Sequence, residues 1–462
     1  MLFNSIEFLI FLFLFYITIF FFKKNWKIVG LIFSIFFYGY WDLKFLFLLY
    51  LMAFQGYFFG QLLLKSGKKI YLIISITISL LILSIFKYFN FFLEDILFLK
   101  KDTSLVELSS KIILPLGISF YTFQVISFVF DVYKKKIHHV KIIDYLFFIT
   151  FFPQLIAGPI LRFNKIIPQF KQKIHFNFKK FRRGLYLIVW GFFLKICLAD
   201  NASIYVDSYL LSPWLANSAT LFMSTIFFGF QIYGDFCGYS LIAIGICKTV
   251  NINVSANFNR PYFTKSFRDF WKRWHISLSN FIRDYLYIPL GGNQNSKLKN
   301  FFVLLICMTL SGFWHGASYF FIFWGFAHGV LIIIERSIKL HNKFLKFVYR
   351  VLVLVLIFAL WIPFRVNNNL SIYSDLEVNF MIFEQLTSID IFNFNEILNK
   401  FFFLKVMILI LITCLFDYFF TNRKIIEYEN NTTKSALLIA FMIFLILTFG
   451  NFNEKTFIYF QF

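Results

Sequence analysis

Apolar runs of roughly 17–25 residues recur from one end of this chain to the other, the length a helix needs to cross about 30 Å of hydrocarbon. In that solvent each backbone N–H and C=O must be satisfied inside the protein, and a spanning helix does so within its own segment. Hydrophobic residues fill 60% of the 462 positions and the mean hydropathy is +0.73, more apolar surface than a soluble core of this size holds. The chain therefore reads as an all-α, polytopic membrane protein, one integral membrane domain over 1–462 with about 10–13 membrane segments, some short of a full crossing. The first run, Phe3 to Phe22, carries the single charge Glu7. No Lys or Arg precedes it and no small-residue cleavage site follows, so it reads as an uncleaved span.

The formal net charge of +22 would suit a nucleic-acid partner. Its distribution argues otherwise. Basic residues gather in short connections, Lys23 to Lys27, Lys65 to Lys69, Lys134 to Lys141 and Lys165 to Arg183, as the positive-inside rule requires of cytoplasmic loops. Membrane lipid, and no nucleic acid, is the partner this implies. Cys197, Cys237, Cys247, Cys307 and Cys414 form no CxxC pair and read as buried thiols, without disulfides or a bound metal. Phe alone accounts for 74 residues, but with no positional pattern that would suit a cofactor stripe.

With the basic loops held in the cytoplasm, residues 3–22, 28–41, 43–64 and 70–89 thread the membrane in turn, and Ile112 to Val132 returns. The run from Ile142 to Ile160 then lies between two basic loops and contains Pro153, Gly158 and Pro159, which break helices. A re-entrant hairpin fits; an in-plane helix is the alternative. Spans follow over 183–200 and 221–249, then a cytoplasmic amphipathic segment over 251–300. The run Phe301 to Phe313, about 20 Å of helix, reads as too short to cross. It is followed by Ala317 to Ile334, Val351 to Pro363, an acidic external loop from Arg365 to Lys400, and C-terminal helices within 401–450.

The junction of the first two of those runs carries His315, preceded by Trp314 and flanked by Gly312 and Gly316. An ionisable group at membrane depth faces a cavity or a partner, and imidazole titrates where a general base for a hydroxyl must. A core histidine bonded to a carbonyl is the plain alternative. His275 lies in a stretch whose apolar residues Phe267, Phe270, Trp271, Trp274, Leu278, Phe281, Ile282 and Tyr285 keep helical spacing. This predicts one amphipathic helix at a membrane surface, with tryptophans at headgroup level and His275 about 80° from the apolar centre. Gln231 and Asp235 interrupt another apolar run; Asp235 could orient a histidine, pair with an arginine or bond a neighbouring helix. His328 could line the same passage as His315 or serve structure. His138, His139, His175 and His341 lie in basic loops and read as solvated. GxSxG, P-loop, GxGxxG and HExxH motifs are absent, which removes the main support for hydrolase, ATP-driven pump and metalloprotease readings.

Four blocks, Leu114 to Gln124, Phe152 to Pro159, Asp269 to Gly292 and Ser311 to Ala317, occur in order. Together they resemble the membrane-bound O-acyltransferase (MBOAT) family, nearest the bacterial alginate and peptidoglycan O-acetylation branch and more distantly the D-alanyl transfer proteins of teichoic acid. The likeness covers about residues 30–365, and the tail Phe457 to Phe462 is also similar. The resemblance implies a ring of helices with re-entrant segments around a tunnel, with His315 as the membrane-embedded catalytic histidine and His275 as a second one nearer the cytoplasm. It further implies an acetyl group taken from a cytoplasmic thioester, acetyl-CoA, with no tightly bound cofactor. Arg268, Lys272 and Arg273 would attract the donor's phosphates, and Trp314, Trp271, Trp274, Asp235, Gln231 and His328 are candidates for the substrate passage. The expected setting is a bacterial inner membrane, with a periplasmic SGNH-type acetyltransferase as partner and a cell-envelope polysaccharide as final acceptor. D-alanyl transfer to teichoic acid and a flippase for an acylated intermediate are the alternatives.

Overall fold

The computed structural model describes residues 1–99, 103–156, 158–172, 176–294, 296–367, 373–419, 432–453 and 455–458. Among these every regular element is helical. Among the described residues seven helices are long and apolar enough to cross a membrane, or up to eight if a bent pair counts as one span, and three shorter apolar helices accompany them. The chain divides into two compact units, Met1–Ile188 with Ser240–Ala256, and Val189–Tyr239 with Asn257–Phe462.

In the first unit, α1 (Ile6–Phe21) and α2 (Trp26–Gly39) meet across a 108° bend after the basic Lys23–Asn25 turn. Ser5 caps α1 by accepting the Phe8 N–H, relieving one of the donors that a helix start leaves unpaired. Next come α3 (Leu43–Ser66) and α4 (Lys69–Lys87), joined through Gly67 in the left-handed region at φ +66°. Both pack on α5 (Ile118–Tyr133), which is buried along almost its whole length. Gly117 opens α5 at φ +71°, and a Cβ there would lie 2.2 Å from the Leu155 carbonyl oxygen. Only glycine suits that position, which lies in the first block quoted above.

The interrupted run at Ile142 is broken as its prolines and glycines require. Helix α6 (Ile142–Thr150) is only nine residues long, and a separate turn of helix, Phe152–Leu155, follows. Asp144 on α6 pairs with Lys27 at 2.7 Å.

Two long helices carry the chain through both units: α7 (Phe178–Tyr209) and α8 (Ser218–Thr249). Glycines let them approach closely. A Cβ on Gly245 would fall 2.7 Å from the Gly184 carbonyl oxygen in the first unit, and one on Gly238 2.7 Å from that of Gly191 in the second. The middle of α7, Phe193–Ala199, winds as a π-helix.

The second unit departs from the sequence reading in two places. The amphipathic stretch is two short helices, α9 (Phe267–Trp271) and α10 (Ile276–Ile282), with His275 between them at φ +42°. Apolar spacing runs through the break because both pieces turn their apolar sides inward; Trp274 is fully buried inside the protein and not exposed on a surface helix. The second departure is α11 (Lys297–His315), 19 residues and about 28 Å long. It starts four residues before the apolar run, in Lys297 to Asn300, so it is long enough to cross. His315 is its last residue. Gly316 then adopts an extended conformation, and Ser318 caps α12 (Tyr319–Glu335) by accepting the Phe320 N–H. The unit ends with α13 (Lys343–Arg365), α14 (Asp375–Leu386), α15 (Lys400–Phe419) and α16 (Thr432–Phe449).

Candidate active site

The second unit gathers the sequence-nominated histidines. Helices α11 and α12 are joined by only three residues and pack through glycine: a Cβ on Gly312 would lie 2.2 Å from the Phe321 carbonyl oxygen, and one on Gly325 2.4 Å from that of Met308. These glycines serve close helix contact. The result is a His315 side chain only 2% exposed, ringed by Trp314, Trp324 and Phe364 at centroid distances of 5.0, 5.3 and 5.2 Å.

His275 is fully buried, not at the edge of a surface helix. Its left-handed backbone is a strained conformation for a branched-out ring, costing about 1–3 kcal/mol, and such strain concentrates at functional sites. Asn257 holds it there. The Asn257 carbonyl accepts the Ile276 N–H at 2.8 Å, and its side-chain oxygen accepts the Ser277 N–H at 3.1 Å and the Ser277 hydroxyl at 2.9 Å. That oxygen also lies 3.2 Å from His275 Nδ1. Because the Asn257 atom is fixed as an acceptor, Nδ1 must carry the proton, and Nε2 is the lone-pair nitrogen. Burial pushes the His275 pKa down to about 3, so the ring is neutral. Trp314 contacts both histidines, 5.9 Å from the His275 ring and 5.0 Å from that of His315. Asn257 had no signal in the sequence, since its role exists only once the chain folds back over 18 residues.

A cavity of about 390 Å³ is lined by Ile276, the neighbour of His275, and by Ser311 of α11, while neither histidine itself lines it. Arg268 and Lys272, both expected, line it, and so do Arg283 and Arg336, which sequence reasoning missed. Its inner wall is α11, where Cys307 and Ser311 face it. His315 follows Ser311 by four residues, so it stands one turn further along the same helix face. Trp271 also lines the cavity and contacts Trp324 at 5.6 Å.

Other nominated residues lie elsewhere. Arg273 donates from Nε to Asp269 at 2.9 Å and from its guanidinium to the Asn259 carbonyl at 3.3 Å; it braces the loop and does not line the cavity. Trp274 packs among Phe258, Trp361 and Phe270 in an aromatic core. Asp235 orients no histidine and pairs with no arginine: Lys195 reaches it at 2.9 Å and Asp200 at 2.8 Å, forming a buried triad. The second oxygen of Asp235 accepts the Ile458 N–H at 2.7 Å. Lys195 escaped notice because it sits within an apolar run. Gln231 is buried on α8, and its side-chain carbonyl has no hydrogen-bond partner among the described residues. His328 is fully buried on α12, against Trp324 at 4.8 Å and Trp271 at 5.3 Å. His138, His139 and His341 are exposed, as their loops imply; His175 and residues 459–462 lie outside the described residues. Four cysteines are buried, Cys414 is partly exposed, and all are free thiols.

Buried histidines and a cation-lined cavity within one helical unit are compatible with the class of membrane acyltransferases, and the sequence comparison supplies that class. Residues 30–374 match the membrane-bound O-acyltransferase family, MBOAT, and the chain belongs to that family. It is 34% identical to the peptidoglycan O-acetyltransferase of Helicobacter pylori over 384 residues, covering 75% of this chain and 72% of the relative. It is also 34% identical to the probable alginate O-acetylase AlgI of Pseudomonas aeruginosa over 378 residues, covering 79% and 71%. A more distant relative is the teichoic acid D-alanyltransferase of Bacillus subtilis, 29% identical over 244 residues, covering 49% and 60%.

Proposed function

We propose that this acyltransferase moves an acetyl group from a cytoplasmic thioester, acetyl-CoA, to an extracytoplasmic hydroxyl, for O-acetylation of a cell-envelope polysaccharide. The observation that carries this reading is the run of Cys307, Ser311 and His315 along α11, which leads from a cavity lined by Arg268, Lys272, Arg283 and Arg336 to a buried imidazole. Four cations lining one cavity, Arg283 among them paired with Asp284 at 2.6 Å, suit the phosphates of a CoA-type donor.

His315 acts as general base. It takes the proton of the acceptor hydroxyl, the oxygen attacks the thioester carbonyl, the C–S bond breaks, and the proton passes to the departing thiolate. His275, held by Asn257 with Nε2 as its lone-pair nitrogen, helps to hold the thioester donor. The acceptor is a separate periplasmic SGNH-type transferase that hands acetyl to the glycan, and the setting is a bacterial inner membrane. Peptidoglycan or an alginate-like polymer is the substrate class that the names of the relatives support.

His315→Ala should abolish acetyl transfer in membranes at matched expression, a loss of at least about 100-fold if the base is essential. Undiminished transfer would overturn the mechanism. Transfer of D-alanine in place of acetyl, measured with both labelled donors in the same membranes, would replace the donor assignment and leave the role of His315 standing.

A further inference from the structure

Glu335 and Arg336 close α12, and each ties down a different wall of the cavity. The Glu335 carboxylate accepts the Phe267 N–H at 2.6 Å and, more weakly, the Arg268 N–H at 3.4 Å. These are the first two amides of α9, donors that a helix start leaves unpaired. The same oxygen accepts the Tyr349 hydroxyl at 3.1 Å, which joins α13 to the contact. Three residues of this wall, Arg268, Trp271 and Lys272, line the cavity.

Arg336 reaches the other wall. It lines the cavity itself, and its guanidinium donates to Asn300 Oδ1 at 2.5 Å. Asn300, only 6% exposed, donates from Nδ2 to the Tyr287 hydroxyl and to the Gly292 carbonyl, both at 2.7 Å. Tyr287 in turn donates to Asn293 at 2.8 Å. Tyr287 and Asn293 line the cavity, as does Arg283, which opens the π-helical turn Arg283–Tyr287. Glu335 and Asn300 themselves stand behind the lining.

These bonds act against a repulsion. Arg268 and Lys272 on one wall face the same space as Arg283 and Arg336, and like charges around one space push its walls apart. A carboxylate bonded to α9 and a neutral amide bonded to the segment after α10 hold the walls at a fixed separation.

We infer that Glu335 and Asn300 are the two arms of a clamp that sets the width of the cavity. They are positioning residues: the clamp fixes how Arg268, Lys272 and Arg336 are presented, and takes no part in proton transfer. The inference rests on the acyl-transfer reading for the cavity's occupant alone.

Cys307 lines the cavity yet is 2% exposed, so its thiol reports how far the walls stand apart. In the test, the full chain in detergent reacts with N-ethylmaleimide, and mass spectrometry follows the labelling rate of each cysteine. Glu335→Met and Asn300→Leu remove the bonds at nearly constant volume. Each should raise the rate at Cys307 at least about tenfold, with the buried Cys197, Cys237 and Cys247 unchanged. Glu335→Gln keeps an acceptor and should stay within about twofold of the unsubstituted chain. Asn300→Asp, which keeps the acceptor for Arg336 and loses both donors, is the milder second variant. It should raise labelling at Cys307 alone even if Asn300→Leu unfolds. In transfer assays, the KM for acetyl-CoA should rise about tenfold in the clamp variants with kcat within about twofold. Unchanged Cys307 labelling in Glu335→Met and Asn300→Asp would overturn the clamp. So would labelling that rises at every buried cysteine in both, the mark of residues that only support the fold. The two readings fail separately: an unsubstituted chain that does not use acetyl-CoA would lose the donor assignment, while Cys307 labelling would still judge the clamp.

Discussion

At the scale of single residues, Asn257 does for His275 what the sequence alone could not indicate. One amide oxygen serves three donors, His275 Nδ1, the Ser277 N–H and the Ser277 hydroxyl. It thereby sets the tautomer and holds a positive-φ backbone in place. Asn257→Leu removes that acceptor at almost constant volume and leaves buried donors unpaired, at about 1–3 kcal/mol apiece. The expected result is a lower thermal midpoint together with at least about a tenfold loss of acetyl transfer. Ser277→Ala, which removes one donor and leaves the histidine contact, should lose far less activity. Equal losses would show that Asn257 serves the loop and not the histidine. His315 could be singled out from Trp314, Gly312 and Gly316, and resemblance supplied its chemistry. The local fold of His275 could not be read, because apolar spacing is blind to one left-handed residue between two inward-facing turns.

At the scale of elements, the site depends on how closely two helices lie. Gly325 meets Met308 and Gly312 backbone atoms with no room for a side chain, and α11 and α12 carry His315 and Trp324 respectively. Gly325→Val must push the pair apart. A cost of about 1–3 kcal/mol in stability is expected from overpacking, with activity lost as the rings around His315 separate. Gly39→Ala is the control: its Cβ would meet only the side-chain ends of Leu43 and Leu46 at 3.3 and 3.4 Å, and its effect should stay within about 0.5 kcal/mol. Thermal unfolding in detergent reads both, and equal midpoints would refute the close-packing role. The triad on α7 and α8 answers to different physics. Lys195→Met leaves Asp200 and Asp235 facing each other without their cation, a loss of about 3–5 kcal/mol for a buried pair. Adding Asp200→Asn and Asp235→Asn to that variant should recover much of the midpoint. A single variant as stable as the triple one would mean that the carboxylates are neutral without Lys195. The triad was only half legible, since Asp235 broke an apolar pattern visibly and its lysine was hidden inside another. The length of α11 was misjudged for a related reason, as its helix runs on through Lys297 and Lys299, which hydropathy counts as loop.

At the scale of the whole molecule, charge distribution is the feature that orients the chain, and α13 provides the sharpest case. Its N-terminal flank and first turns hold Lys339, His341, Lys343, Lys346 and Arg350, whereas the segment beyond its C-terminus holds Asp375, Glu377, Glu384, Asp390 and Glu396. With 23 residues and a mean hydropathy of 2.4 in its most apolar window, α13 is long enough to separate the two flanks. The positive-inside rule then assigns the basic flank to the cytoplasm, the side from which the proposed donor enters. His341 is exposed and Ile389 is 89% exposed, so a cysteine at either position should react freely. The native thiols give little background, four being buried and Cys414 lying within the apolar α15. In intact cells with an accessible outer face of the membrane, Ile389→Cys should label with a membrane-impermeant maleimide. His341→Cys should label only after permeabilisation. The reverse pattern would invert the chain, and the donor would then have to reach Arg268, Lys272, Arg283 and Arg336 from outside, where no CoA thioester is held. Labelling of both positions from outside would show that α13 does not cross.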